Sequence, residues 1–92
     1  MTTEVDCRYF VYVVKCKDNS FYTGITTDVI RRINEHNKGT KGSKYTKGRR
    51  PVVLVYQEKC IDKSTALKRE YQIKQLTRKQ KLNLIYDTTR KI

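Results

Sequence analysis

Arg32 and His36 are four residues apart in a stretch with helical periodicity, so their side chains are neighbours on one face of a helix. Two tyrosines, Tyr12 and Tyr22, lie on short segments with the alternation typical of strands. A guanidinium can bind two phosphate oxygens at once, and an imidazole can orient a group or relay a proton. These residue types favour chemistry on phosphate, although an ordinary solvated side chain is the alternative for Arg32.

Glu70 is an acidic residue in an unexpected place. It lies at helical spacing among the apolar residues of its predicted helix, which are Ala66, Leu67 and Ile73. A carboxylate on a face that should be buried is costly unless it is paired, hydrogen-bonded or bound to a metal. Two interpretations follow: an ion pair with Lys74 or Arg32, or a hard-oxygen ligand for one Mg²⁺ or Mn²⁺ ion.

The run of residues 9–36 resembles the GIY-YIG nuclease domain. Phe-Val-Tyr at residues 10–12 matches the first triplet of that family, and Tyr-Thr-Gly at residues 22–24 matches the second. Arg32 falls at the family's helix arginine, with His36 one turn later. The triplets alone would be a weak signal, but the triplets, the arginine, the histidine and a later glutamate in this order are a strong one.

The resemblance covers about residues 9–82 and is closest to the small stand-alone members of the superfamily. Three positions depart from the family pattern, namely Phe10 for the first glycine, Thr23 for the middle isoleucine of the second triplet, and Ile25 where many members carry lysine. The resemblance implies metal-dependent endonuclease hydrolysis of phosphodiester bonds, of DNA in preference to RNA, in repair or nucleic-acid processing.

The same resemblance implies a role for each site residue. Tyr12 would be the general base or would orient the attacking water, with Tyr22 beside it. Arg32 would stabilise the developing charge, and His36 would orient a tyrosine or relay a proton. Glu70 would be the single protein ligand of one Mg²⁺ or Mn²⁺ ion. A free tyrosine has a pKa of about 10, so Tyr12 needs cationic neighbours or the metal to act as a base.

The charge balance indicates a polyanionic partner. Lys and Arg number 21 and Asp and Glu number 9, which gives a net charge of +12 on 92 residues. Nucleic acid is the partner that such charge density favours, because each neutralised phosphate releases counterions. A basic protein without this partner, or a ribosome-associated fragment, is the alternative.

Residues 39–50 are rich in glycine, small hydroxyl residues and cations, and they show no apolar periodicity. This composition predicts a mobile basic loop that contacts a phosphate backbone. The candidate nucleic-acid-binding residues are Lys41, Lys44, Tyr45, Lys47, Arg49 and Arg50. Tyr45 either stacks on an exposed base or packs back on the preceding helix. No P-loop motif is present, so nucleotide hydrolysis has no support.

The predicted order of elements is β-β-α-β-α-α, an α+β fold with a small, mainly antiparallel three-stranded sheet flanked by helices. Residues 51–57 form an almost continuous apolar run, which predicts a central strand buried on both faces. The apolar stripe predicted for the first helix is Val29, Ile30 and Ile33, with Arg31, Asn34 and Glu35 facing water. In the last helix the core residues are Leu82, Ile85 and Tyr86, and Asn83 corresponds to a supporting asparagine of the family.

The whole chain, residues 1–92, is predicted to be one domain with a core of about 8–86. Three cysteines without C-x-x-C spacing and one histidine exclude a Cys/His zinc site, and Cys16 and Cys60 are expected to be semi-buried thiols. No targeting or membrane-spanning stretch is present, which favours the cytoplasm. A non-catalytic basic nucleic-acid-binding module, or a scaffold in a repair or RNA complex, is the alternative to an enzyme, and a protein partner would supply specificity.

Overall fold

The computed structural model describes residues 8–38 and 44–86 of the chain. Its strands and helices, in chain order, are β1 Tyr9–Lys15, β2 Phe21–Thr26, α1 Val29–Lys38, α2 Lys44–Lys47, β3 Val53–Cys60, α3 Lys63–Lys74 and α4 Arg78–Tyr86. The predicted α+β order is confirmed, with the four-residue helix α2 added between α1 and β3. None of the helices in these two ranges is long and apolar enough to cross a membrane.

The three strands form one antiparallel sheet in the order β2-β1-β3. The turn between β1 and β2 uses Asn19 with a φ of 71°, a left-handed conformation that asparagine tolerates, and Asp18 accepts a hydrogen bond from the backbone N–H of Ser20. The prediction that β3 is the central strand was wrong. It lies at an edge, where Val53 and Leu54 are exposed, because the apolar run of β1 occupies the centre. Local sequence does not determine which of two apolar strands takes that place.

The two faces of β1 contribute to two separate apolar clusters. Val11 and Val13 pack with residues of α3 and α4, including Ala66, Ile73 and Ile85. Tyr12 and Val14 point to the opposite face, which also holds Cys16, Val52, Tyr22 and Ile33. The alternation of a strand therefore places Tyr12 on the α1 side of the sheet. Cys16 and Cys60 are buried in the structure, whereas semi-buried thiols were predicted.

Helix α1 begins with an N-cap at Asp28, whose carboxylate accepts a hydrogen bond from the backbone N–H of Arg31 at 3.0 Å. Val29 and Ile33 face the sheet side, but Ile30 is 78% exposed, so the predicted stripe was wrong at that position. Ile30 lies about 100° around the helix from Val29, on a side that the described elements leave largely uncovered. Glu35, which was predicted to face water, is half-buried against Arg32.

Helices α3 and α4 begin with side-chain caps at Asp62 and Thr77. Thr77 and Gln80 form a reciprocal capping box, each side chain accepting a hydrogen bond from the backbone of the other. The predicted core positions Leu67 and Tyr86 are exposed. The side chains that these helices pack into the core are those of Ala66, Ile73 and Ile85, with Leu76 and Leu84 partly buried beside them.

The described part of the predicted mobile loop is ordered structure. Residues Lys44–Lys47 form α2, and Thr46 on this helix is fully buried. A single helical turn produces no detectable periodicity in sequence, which is why the composition suggested a loop. Its order comes from the contacts that it makes with Tyr22 and His36.

Candidate active site

Tyr12 is the centre of a polar cluster on the α1 face of the sheet. Its side chain is 1% exposed, and its hydroxyl lies 2.8 Å from Nε2 of His36. The ring of Tyr22 on β2 lies beside both residues, with its centroid 6.4 Å from that of Tyr12 and 5.3 Å from that of His36. The strands and α1 thus bring three predicted site residues into contact.

His36 is fully buried and holds two polar partners. Its Nε2 faces Tyr12, and its Nδ1 lies 2.8 Å from Oγ1 of Thr46 on α2. Burial, and then the positive charge of Arg32, lower the pKa of His36 from 6.5 to about 4. The imidazole is therefore neutral near pH 7, with one of its two ring nitrogens unprotonated.

The Tyr12 phenol is neutral in the resting protein. Burial raises its pKa from 10.0 to about 12, with smaller contributions from the nearby charges of Tyr22 and Glu70. Arg32 lies within hydrogen-bonding reach of the phenol oxygen and acts in the opposite direction. The phenol is thus held between a cation that favours its ionisation and a neutral imidazole.

Arg32 is a half-buried cation on the edge of the cluster. Its Nη1 donates a hydrogen bond to Glu35 at 2.9 Å, and its side chain is 23% exposed. The neighbouring Arg31 also pairs with Glu35 but is 54% exposed. Of these two arginines, Arg32 is the one that reaches Tyr12, so it is the one placed to meet a phosphate beside that hydroxyl.

Glu70 lies on α3, with 19% of its side chain exposed, and it pairs with Lys74 at 3.2 Å. Its charge is close enough to act on the Tyr12 phenol. Within residues 8–38 and 44–86, no three His, Cys, Asp or Glu side chains are grouped to hold a metal ion. Glu70 is thus a single carboxylate, and a Mg²⁺ site with one protein carboxylate is completed by water and substrate oxygens.

Side chains on either side of Thr46 attach helix α2 to the polar cluster around Tyr12. The Tyr45 ring stacks on Tyr22 with centroids 5.8 Å apart, and the Arg49 guanidinium lies 4.1 Å from the Tyr45 centroid. Arg49 also donates a hydrogen bond to Asp18 in the β1–β2 turn at 3.0 Å. Tyr45 thus packs within the protein, as in the second of its two predicted alternatives. It packs against β2, however, and not against the preceding helix as that alternative stated.

The other predicted nucleic-acid-binding residues are distributed around α2. Lys44 and Lys47 are exposed on the helix, whereas Arg50 is half-buried and donates a hydrogen bond to the backbone oxygen of His36 at 2.6 Å. Lys41 lies outside the described residues. Asn83 has an exposed side chain on α4, and the described contacts do not bring it to the Tyr12 cluster.

Sequence reasoning missed Thr46 and the structural reason for Gly24. An ideal Cβ at Gly24 would lie 2.6 Å from the Tyr12 hydroxyl oxygen, so glycine is needed where the tyrosine crosses β2. The glycine of the second triplet was a usable signal for this contact. A threonine in a basic, glycine-rich stretch carries no comparable signal.

The structure is thus a small α+β domain in which an antiparallel three-stranded sheet carries two tyrosines, a histidine and an arginine gathered beside one face. Residues 8–83 match the family model described as the GIY-YIG catalytic domain, and the chain belongs to the GIY-YIG family. This membership points to nuclease chemistry in general, with nucleic acid as the class of substrate.

Relatives and solved structures agree with this assignment. A UPF0213 protein of Staphylococcus haemolyticus is 63% identical over 78 residues, covering 85% of this chain and 94% of the relative. A UPF0213 protein of Desulfotalea psychrophila is 57% identical over 77 residues, covering 84% and 70%. The solution NMR structure of a UPF0213 protein from Bacillus halodurans has a TM-score of 0.54 at 47% identity, covering 84% of this chain and 81% of that one.

Proposed function

We propose that this protein is a divalent-metal-dependent endonuclease that hydrolyses phosphodiester bonds of nucleic acid. The observation that carries the proposal is the buried contact of the Tyr12 hydroxyl with the neutral His36 ring, with Arg32 beside it. A phenol that is hydrogen-bonded to a neutral base and lies beside a cation can take a proton from a water molecule near a phosphate.

The Tyr12 oxygen takes a proton from the attacking water while its own proton passes to Nε2 of His36. The water oxygen forms a bond to phosphorus, the bond from phosphorus to the leaving sugar oxygen breaks, and that oxygen is protonated by solvent. His36 accepts this proton only during the step, so Tyr12 never needs to exist as a free phenolate. This matters because the pKa of Tyr12 is about 12. Because the pKa of His36 is about 4, the imidazolium then releases the proton to solvent, which balances the proton that the leaving oxygen takes up.

Arg32 stabilises the charge that develops on the phosphate oxygens. Its guanidinium is half-buried and fixed by Glu35, so it needs little reorganisation during the reaction. Tyr22 packs against His36 and helps to hold the imidazole in its position. These roles deepen those implied by the resemblance and use groups that the fold brings together.

Glu70 would hold the Mg²⁺ or Mn²⁺ ion through its carboxylate. Such an ion, when bound, neutralises phosphate charge and stabilises the leaving oxygen. The ion pair with Lys74 would have to open or share the carboxylate, because Lys74 lies 3.2 Å from one of its oxygens.

The substrate class proposed is nucleic acid, with DNA preferred to RNA, in repair or nucleic-acid processing. The net charge of +12 and the exposed lysines of α2 support binding along a phosphate backbone. We propose a cytoplasmic location and a protein partner that supplies specificity.

The test is cleavage of labelled single-stranded, duplex, nicked and branched DNA and of RNA, with Mg²⁺, with Mn²⁺ and with EDTA. The variant Glu70→Gln should abolish the metal-dependent products. Glu58→Gln is the matched control, because Glu58 is also a half-buried carboxylate in an ion pair, with Arg69 at 2.8 Å. Equal activity of the two variants would contradict the role of Glu70.

One observation favours a second candidate, a non-catalytic nucleic-acid-binding module. The pairing of Glu70 with Lys74 satisfies the carboxylate without any ion. Salt-dependent binding to every substrate, with no cleavage under any metal condition, would support this module over the enzyme.

A further inference from the structure

Thr46 is a fully buried hydroxyl on α2 that none of the proposed catalytic steps uses. Its Oγ1 lies 2.8 Å from Nδ1 of His36, on the side of the ring opposite to Tyr12. His36 is thus held between two hydroxyl groups, those of Tyr12 and Thr46. Only one of its two nitrogens carries a proton in the neutral ring, so the direction of one hydrogen bond determines the other.

The surroundings of Tyr12 indicate which ring nitrogen of His36 is unprotonated. In the described part of the chain, the groups within hydrogen-bonding reach of the Tyr12 oxygen are the Arg32 guanidinium and the His36 ring, whereas Tyr22 and Glu70 act on it through charge alone. A guanidinium can only donate hydrogen bonds, so it cannot accept the proton of the phenol. A buried hydroxyl proton without an acceptor is costly, and Nε2 of His36 is the acceptor available. These contacts favour the tautomer in which the phenol donates to Nε2 and Nδ1 carries the ring proton.

We propose that Thr46 is a positioning residue. Its hydroxyl oxygen accepts a hydrogen bond from Nδ1–H of His36 and thereby keeps Nε2 unprotonated toward the Tyr12 hydroxyl. The hydroxyl acts through the imidazole and does not touch the reacting atoms. The importance of the tautomer rests on the proposed function, since only a bare Nε2 can take the proton that Tyr12 releases. With the other tautomer, the ring would donate to the phenol and the transfer would be blocked.

Helix α2 has the anchors that this role requires. Tyr45 stacks on Tyr22, and the backbone N–H of Arg49 bonds to the Thr46 carbonyl while the Arg49 side chain pairs with Asp18. These contacts lie on both sides of Thr46 along the chain and tie it to the same sheet that carries Tyr12. The hydroxyl is therefore fixed relative to the imidazole.

The test is nitrogen-15 NMR of the full chain labelled at histidine. His36 is the single histidine of the sequence, so its two ring nitrogens are assigned without ambiguity. Protonated and bare ring nitrogens resonate in well-separated regions, and the spectra need neither metal nor nucleic acid. We expect a protonated Nδ1 and a bare Nε2 in the wild type and in Thr46→Ser, which keeps the hydroxyl.

In Thr46→Val, which matches the shape but removes the acceptor, the population of the Nε2-protonated form should rise. Thr46→Ala serves the same purpose if the valine variant does not fold, as judged from its amide spectrum. A wild-type ring protonated at Nε2, or a tautomer unchanged in the folded valine or alanine variant, would overturn the proposal.

Cleavage assays add a second readout if the enzyme is active. Thr46→Val should lower kcat by about ten- to a hundredfold with KM unchanged, because a buried N–H loses its acceptor. Thr46→Ser should restore the rate. A protein without nuclease activity would disprove the proposed function alone, because the tautomer is still decided by the spectra.

Discussion

Tyr12 and Gly24 lie directly opposite each other on β1 and β2, and the tyrosine ring occupies the space that a side chain at Gly24 would fill. This close approach lets the Tyr12 ring cross the neighbouring strand, and its hydroxyl contacts His36 on α1. The glycine of the second triplet therefore provides the space that the tyrosine of the first triplet occupies.

Gly24→Ala should displace Tyr12 and destabilise the protein. The added Cβ would meet the hydroxyl oxygen at 2.6 Å and ring carbons at 2.8 and 3.0 Å, so the buried ring must move. We expect the free energy of unfolding in urea to fall by about 1–3 kcal/mol, the usual cost of overpacking. Any nuclease activity should fall with it.

Gly48→Ala is the matched control for this substitution. A Cβ at Gly48 has nothing within 4 Å, and its backbone is not in the left-handed region. Its unfolding midpoint should equal that of the wild type or rise slightly, because alanine restricts the unfolded chain. Equal stability of the two variants would show that the sheet relaxes around position 24.

The stability of the protein should decrease between about pH 6.5 and pH 4. His36 binds a proton with a pKa of 6.5 when free and about 4 in the folded protein, so the unfolded chain takes up the proton first. Stability from the neutral ring is thus complete above about pH 6.5 and is lost as the pH falls toward 4. For one proton, the slope is at most about 1.4 kcal/mol per pH unit.

Urea unfolding at several pH values, with His36→Gln beside the wild type, measures this effect. Glutamine does not titrate, so the variant should lack the slope between pH 6.5 and 5, whatever its overall stability. The carboxylates with lowered pKa values, Asp18, Glu35 and Asp62, titrate at lower pH in both proteins. The same slope in both proteins would exclude His36 as its source.

Much of the fold could be predicted because its signals are local. Strand alternation, the Asp18–Asn19 turn, and the caps at Asp28 and Thr77 depend on residues close together in sequence. The position of β3 at the sheet edge could not be predicted, because strand order is decided by packing between distant segments. The exposure of Ile30 has the same origin.

The site was predictable where residue type and spacing together indicate one arrangement. Periodicity placed Tyr12 and Tyr22 on strands and Arg32 and His36 on one helix face. The resemblance to the GIY-YIG domain implied that they come together, and in the structure they do. Thr46 was not predictable, because its burial depends on a single turn of helix docked against a histidine ten residues earlier. Only the folded chain shows that contact.

Arg32→Ala should lower the rate of cleavage by about 10²- to 10³-fold, the usual cost of removing one donor to a developing anion. Arg31→Ala is the matched control, because Arg31 is on the same helix and also pairs with Glu35 but is more exposed. It should retain nearly full activity. Comparable losses in the two variants, measured as kcat/KM on one substrate, would assign a general electrostatic effect to both arginines.

The stack of Tyr45 on Tyr22 should contribute measurable coupling to stability. A double-mutant cycle with Tyr22→Leu and Tyr45→Leu should give an interaction free energy of about 0.5–1.5 kcal/mol, typical of aromatic pairs. Tyr71→Leu on α3 is the control, because that ring is 66% exposed, and its effect should be small.

The same cycle separates the two interpretations of Tyr45. If the Tyr45 ring stabilises the fold, Tyr45→Leu lowers the free energy of unfolding and disturbs α2, and the salt dependence of nucleic-acid binding is unchanged. If the Tyr45 ring stacks on a nucleic-acid base, its coupling free energy with Tyr22 is near zero, and Tyr45→Leu weakens binding to single strands more than to duplexes. The stacking on Tyr22 and the Arg49 guanidinium over the ring favour the first outcome, because leaving for a base would cost Tyr45 both contacts.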